Sequence, residues 1–241
     1  MAGGGGAVSR TVFDPGAGRE GLVRRLVEVL PGSRFEGAAG SAGELWFVIE
    51  GAGWLKSGAR PAMAVRRDTG LWLPPGAHYR LCSDGPGALR LDSVSLPPGA
   101  ADRHGTPAPG SVGSAGDATT PQLSELRDCA VQVTGDRRFR VLFGPSNGCG
   151  AATQFVGEIP PGRAPAHSHP YDEVVLVLEG EGVLHAGAAS RPLAPGGCVH
   201  IPPGEPHCLE NTGRTTLRVL GVFHPGGSPA AKQDRRRPTA I

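Results

Sequence analysis

The sequence predicts an all-β protein built as two small barrels in tandem, and three observations carry that prediction. Apolar segments are short and stop at Pro-Pro-Gly or Gly-x-Gly punctuation, as in Leu71-Trp72-Leu73-Pro74-Pro75-Gly76 and Leu178-Glu179-Gly180-Glu181-Gly182. A series of landmarks recurs at near-constant spacing, as expected of a duplicated domain. One of the two copies carries three histidines and a glutamate at metal-ligand spacing.

Gly 39 and Pro 24 make up about a quarter of the 241 residues, a level at which disorder has to be weighed. Here they mostly separate apolar runs, which suits many short strands. The formal net charge of +2 is too small to favour nucleic acid or an anionic membrane as partner. No apolar run is long enough to span a bilayer and none resembles a secretory h-region. Cys82, Cys129, Cys149, Cys198 and Cys208 are odd in number and widely spaced. Together these features predict a reduced, cytoplasmic setting.

In chain order, residues 1–18 open on a glycine run and are expected to be disordered. Leu22, Val23, Leu26, Val27 and Leu30 recur at helical spacing before Pro31-Gly32, which predicts a helix from Arg19 to Leu30, with a strand as the alternative. Residues 19–99 form the first barrel, with strand-like runs at Leu45 to Glu50, Trp54 to Lys56, Leu71 to Leu73 and Leu89 to Leu96. Residues 100–122, nearly devoid of apolar side chains, read as a flexible linker. Residues 123–226 form the second barrel, and residues 227–241 a polar tail.

The repeat is explicit. Glu44-Leu-Trp-Phe-Val-Ile-Glu-Gly-Ala-Gly-Trp-Leu55 aligns with Glu173-Val-Val-Leu-Val-Leu-Glu-Gly-Glu-Gly-Val-Leu184, an offset of 173 − 44 = 129. Leu73-Pro-Pro-Gly76 aligns with Ile201-Pro-Pro-Gly204, and Leu89 to Val94 with Leu217 to Val222, both at 128 (201 − 73 and 217 − 89). Both alternating sets of Val174 to Leu178 are apolar, so this strand is expected to be buried on two sides, against the sister domain or, in a homodimer, a second subunit.

His167 and His169, at i and i+2 on an extended segment, project to one face. Pro170-Tyr171-Asp172 turns the chain, Glu173 opens the next strand, and His207 follows the second Pro-Pro-Gly turn. Imidazole and carboxylate together suit one divalent transition metal, Fe, Mn, Ni, Cu or Zn. Four protein ligands leave one or two positions open on a five- or six-coordinate ion, where a small-molecule substrate can bind. By the offsets, Ala38, Gly40 and Tyr79 stand where His167, His169 and His207 stand, and only Glu44 remains, so the first barrel is expected to be metal-free. Gln154, Tyr171, His185 and His200 are further candidates for the pocket or for orienting the ligands. Cys208, on the opposite face from His207, is expected to pack in the core.

These residues resemble the cupin superfamily. Its first motif, G(X)5HXH(X)3–4E(X)6G, is matched at His167, His169, Glu173 and Gly180, with the spacing from Gly162 one residue short. Its second, G(X)5PXG(X)2H(X)3N, is matched at Gly196, Pro202, Gly204, His207 and Asn211. The resemblance implies a double-stranded β-helix, jelly-roll-like, with the metal at His167, His169, Glu173 and His207. It also implies a metal-dependent enzyme acting on a small oxygenated molecule by dioxygenase-type chemistry, with Glu173 as ligand and proton acceptor. Lewis-acid isomerase, cyclase or hydrolase chemistry is the alternative, as is a non-catalytic binding or storage bicupin.

Overall fold

A computed structural model of the chain describes residues 6–16, 21–98 and 120–230. The first half supplies β1 (Ala7–Phe13), β2 (Val23–Val29), β3 (Arg34–Ala38), β4 (Glu44–Glu50), β5 (Ala52–Lys56), β6 (Met63–Arg66), β7 (Thr69–Leu73), β8 (His78–Ser83) and β9 (Leu89–Ser95). A larger sheet ordered β1-β2-β9-β4-β7 faces a smaller one ordered β3-β8-β5-β6. After β10 (Gln122–Glu125), the second half supplies β11 (Gln132–Thr134), β12 (Arg137–Phe143), β13 (Thr153–Ile159), β14 (Gly162–Arg163) and β15 (Asp172–Glu179). It ends with β16 (Gly182–Ala186), β17 (Ala189–Leu193), β18 (Cys198–Ile201), β19 (His207–Asn211) and β20 (Leu217–His224). Again a larger sheet, β11-β12-β13-β20-β15-β18, faces a smaller one, β14-β19-β16-β17.

The duplication is written into the strand pairing. Glu44 lies opposite Leu73 and Ser95, and Glu173 lies opposite Ile201 and Phe223. Alternation then sorts each central strand between two cores. Val175 and Val177 point into the second barrel with Leu184 and Val219. Val174 and Leu176 point out, into a core shared with Leu45, Phe47 and Val94 of the first barrel. The strand that is apolar on both sides therefore packs outward on the sister domain.

The interface has a polar centre as well. Arg24 and Asp92 are both fully buried, joined through Nε–Oδ1 at 2.7 Å and Nη2–Oδ2 at 3.0 Å. Arg24 Nη2 also donates across the interface to the Leu220 carbonyl at 3.1 Å. Paired in this way, the two charges avoid the penalty of an isolated buried ion.

Four expectations need correction. The helix expected from Arg19 to Leu30 is a strand over Val23–Val29, paired with β1 and β9. Its i, i+4 apolar spacing is matched equally by β-branched alternation, and the buried Arg24 takes an inward position that helical periodicity could not assign. The segment expected to be disordered over 1–18 contains β1, which forms the edge of the larger sheet. Most of the expected linker lies outside the described residues, but its end begins β10, which pairs with β7 of the first barrel rather than with the second. Of the expected polar tail, residues 227–230 are described and dock on the barrel, where the Gly227 amide donates to Thr153 Oγ1 at 3.1 Å.

Candidate metal centre in the second barrel

Each histidine is placed by backbone hydrogen bonds. His167 and His207 form an isolated antiparallel bridge, with both N–H···O contacts made, at 2.9 and 2.8 Å. The His169 carbonyl accepts from the Gly204 amide at 2.7 Å, so the Pro-Pro-Gly turn holds the first motif in place. Gly204 sits at φ +77°, which favours glycine. Glu173, second residue of β15, enters from the larger sheet.

The rings converge. Centroids of His167 and His207 are 4.6 Å apart, those of His167 and His169 4.8 Å, and those of His169 and His207 5.4 Å. Their candidate ligand atoms lie within 4.8 Å of one another, the only such group of His, Cys, Asp or Glu among the described residues. His207 Nδ1 meets the Glu205 carbonyl at 2.8 Å, which fixes the proton there and leaves Nε2 as the free lone pair. That Nε2 stands 3.5 Å from Glu173 Oε2. Tyr171 stacks on His169 at 5.1 Å and donates its hydroxyl to the Ser228 carbonyl at 2.7 Å, so residues 227–230 brace that histidine through the tyrosine.

The electrostatics are those of a carboxyl and imidazoles buried together. Glu173 is buried, its Oε2 has no hydrogen-bond partner, and desolvation pushes its carboxyl up to about 8. Burial, together with the neighbouring His207 and His169, pushes His167 down to about 4, and burial also lowers His207. The close His207–Glu173 approach is therefore a contact of two neutral groups at neutral pH rather than an ion pair. A divalent cation would reverse the shift of Glu173 and take up the imidazole lone pairs that burial already keeps unprotonated. The donor set thus fits such an ion.

These side chains open into a cavity of about 130 Å³, walled by Phe139, Phe155, Ile159, Leu209, Val219 and Phe223. Phe155 lies flat across β20 because Gly221 offers no side chain; a Cβ there would run into its ring.

Of the further candidates, Tyr171 alone adjoins the histidine cluster. Alternation along β13 sends Phe155, Gly157 and Ile159 to the cavity and Gln154 the other way, where its Nε2 reaches the Trp46 carbonyl of the first barrel at 3.3 Å. His185 is held by Ser190 and Glu210, and His200 by Asp172 and the ring of Phe13. Neither lines the cavity. Cys208 is buried on the face opposite His207. Arg137, which sequence reasoning passed over, does line the cavity, and donates from Nη2 to the Leu209 carbonyl at 2.5 Å. Its signal was present: Arg137, Phe139 and Val141 alternate on one face of β12, and the cation is the odd member.

In the first barrel the equivalent space is filled. Tyr79 packs edge-on against Trp46 at 4.8 Å and beside Phe35 at 6.0 Å, and Trp46 Nε1 donates to Glu44 Oε2 at 2.7 Å. Strand register sets Gly37, not Ala38, opposite Tyr79, a one-residue departure from the constant offset. Aromatic rings thus stand where the second barrel has imidazoles.

Two such barrels, one with converging imidazoles, define a class of protein: a chain of two jelly-roll-like units, or bicupin. Residues 155–223, which lie within the second barrel, match the Cupin domain family. The chain is 37% identical over 68 residues to the oxalate-binding protein of Thermotoga maritima, a match spanning 27% of this chain and 56% of that protein. Among solved structures, an oxalate decarboxylase variant from Bacillus subtilis superposes with TM-score 0.72 at 15% identity, covering 95% of this chain and 74% of the other. The 7S globulin of Momordica charantia gives 0.69 at 14%, covering 94% and 81%. A cupin barrel protein of Leptotrichia buccalis gives 0.60 at 13%, covering 93% and 91%. At these identities the likeness of the structures is one of fold. No described helix is long and apolar enough to cross a membrane.

Proposed function

We propose that the second barrel holds one divalent transition metal through His167, His169, Glu173 and His207, and that the ion binds a small oxygen-rich molecule inside the cavity. The observation that carries this reading is the buried, unpartnered Oε2 of Glu173, 3.5 Å from the free nitrogen of His207. A carboxylate so placed is costly without a cation. The bound ion would supply Lewis acidity and open coordination positions. The chain's own residues do the rest: His207 is oriented by Glu205, His169 is backed by Tyr171, and the phenylalanine-lined wall excludes water. A cavity of about 130 Å³ is well below the roughly 300–1,000 Å³ of pockets for drug-sized ligands, so the ligand is small. The relative named for oxalate binding supports a short dicarboxylate as its class.

Dioxygenase-type turnover is the reaction we assign first, because four protein ligands on a six-coordinate ion leave room for both a ligand and dioxygen. Glu173, unpaired and buried, is the group placed to take a proton from the ligand. Elemental analysis of protein purified without chelator tests the centre. His207→Ala should lose most of the metal while Cys208→Ser keeps it, and equal occupancy in the two variants would sink the ligand assignment. Oxygen uptake by the metal-loaded protein with small dicarboxylates then separates dioxygenase turnover from Lewis-acid chemistry or simple binding.

A further inference from the structure

Arg137 is an unusual residue to find on the wall of this cavity. It stands two positions before Phe139 on β12, on the same face, and its side chain crosses from the larger sheet to the Leu209 carbonyl of β19 in the smaller one. That carbonyl bond occupies one guanidinium nitrogen. Among the described residues Arg137 makes no further hydrogen bond and no ion pair. Asp136 and Arg138, its neighbours on the rim, are both exposed and offset each other in charge. Asp136 acts on the half-buried guanidinium through its charge without bonding to it, so the remaining donors have no hydrogen-bond partner, and burial pulls the proton affinity of Arg137 below the usual value. The group also lies close enough to His167 and His207 to depress both. The wall of one cavity therefore carries the histidine cluster, Arg137 and phenylalanine rings.

We infer that Arg137 is the specificity-determining residue of the site, binding the distal carboxylate of a small dianionic ligand whose other end occupies the metal. This rests on the proposed metal centre and adds to it a second anchor on the protein. Charge counting supports a dianion. A divalent ion, Arg137 and ionised Glu173 sum to +2 + 1 − 1 = +2, which a dicarboxylate cancels inside a wall of otherwise apolar side chains. Guanidinium suits the task because its planar fork matches a carboxylate edge, which an ammonium does not. The Leu209 bond holds the fork in position before the ligand arrives, which lowers the ordering cost of binding.

The test measures binding by calorimetry on the metal-loaded protein, with oxalate as the dianion and imidazole as an uncharged ligand for the same metal. Arg137→Gln is the principal variant, since it removes the charge and keeps a polar amide, and Arg137→Lys keeps the charge but loses the fork. Arg137→Gln should hold metal at the wild-type stoichiometry, bind imidazole within about twofold of wild type, and lose about 10–100-fold in oxalate affinity, the scale of a charge-assisted hydrogen bond. Arg137→Lys should fall between. Unchanged oxalate affinity in metal-loaded Arg137→Gln overturns the inference. So does an equal loss for oxalate and imidazole, which would make Arg137 a prop for the cavity. Wild-type protein that takes up metal and imidazole but not oxalate overturns the ligand class. Wild-type protein that takes up no metal overturns the reading of the centre itself, and the two failures are told apart by the metal analysis.

Discussion

Replacing Glu173 with Gln should make the metal-free protein more stable at alkaline pH and change it little in acid. The carboxyl titrates near 4.5 when solvated and near 8 in the folded, metal-free barrel, through desolvation. A folded-state value above the unfolded one means that stability is fully present below about pH 4.5 and is lost as pH rises through 8. The unfolded chain ionises Glu173 over this window while the folded chain keeps it protonated. A tenfold difference in proton affinity between the two states is worth about 1.4 kcal/mol, so the full effect approaches about 5 kcal/mol above pH 8 and stays under about 1 kcal/mol at pH 5. Glutamine is isosteric and cannot ionise, so it escapes the loss. His167, displaced the opposite way, lowers stability on the acid side of about pH 6.5 in both proteins, and cancels in the comparison. The assay is urea unfolding of chelator-treated wild type and E173Q at intervals between pH 5 and 9. The curves should separate progressively with pH, in favour of the variant, and adding metal should restore the wild type alone. Parallel pH profiles would refute the account of Glu173 as a buried carboxyl awaiting a cation.

Other outcomes follow from the same structure. Arg24→Met strands the fully buried Asp92 at the interface and should cost about 3–5 kcal/mol in thermal or denaturant melts, with much of this recovered in the Arg24→Met/Asp92→Asn double variant. Gly221→Val forces a side chain into the Phe155 ring and should destabilise by about 1–3 kcal/mol, with weaker metal retention as the cavity wall shifts. Cys149, buried and raised to about 11, has about one thiolate in a thousand at pH 8. It should be the slowest of the five cysteines to react with a maleimide, read by mass spectrometry of the labelled peptides.

Much of this architecture was legible because its determinants are local. The convergence of His167, His169 and His207 beside Glu173 was readable from H-x-H, a glutamate four residues on and a histidine after Pro-Pro-Gly, since turns and short strands fix those side chains with little help from distant contacts. The duplication was readable because Glu44 and Glu173 begin matching sequence runs, and the strands that carry them have equivalent partners. What the chain did not disclose depends on pairing across sheets. Gln154 shares β13 with Phe155, and no local signal says which of the two meets the cavity. The segment around Arg24 fitted either period until β9 supplied Asp92 as its partner. Arg137 needed the opposite sheet, where the Leu209 carbonyl holds its side chain on the cavity wall.

The exchange of strand ends between the halves bears on how the chain is made. β10 comes after both β9 and the stretch from 99 to 119, yet it completes the larger sheet of the first barrel. On a ribosome the first barrel would emerge with the backbone of β7 open on one side until Glu125 had been synthesised and had cleared the exit tunnel. Its outward face, with Leu45, Phe47 and Val94, would wait longer still for Val174, Leu176 and Leu220. The two halves are therefore finished together, late in synthesis, and an exposed edge beside an uncovered apolar face is the surface on which chaperones act.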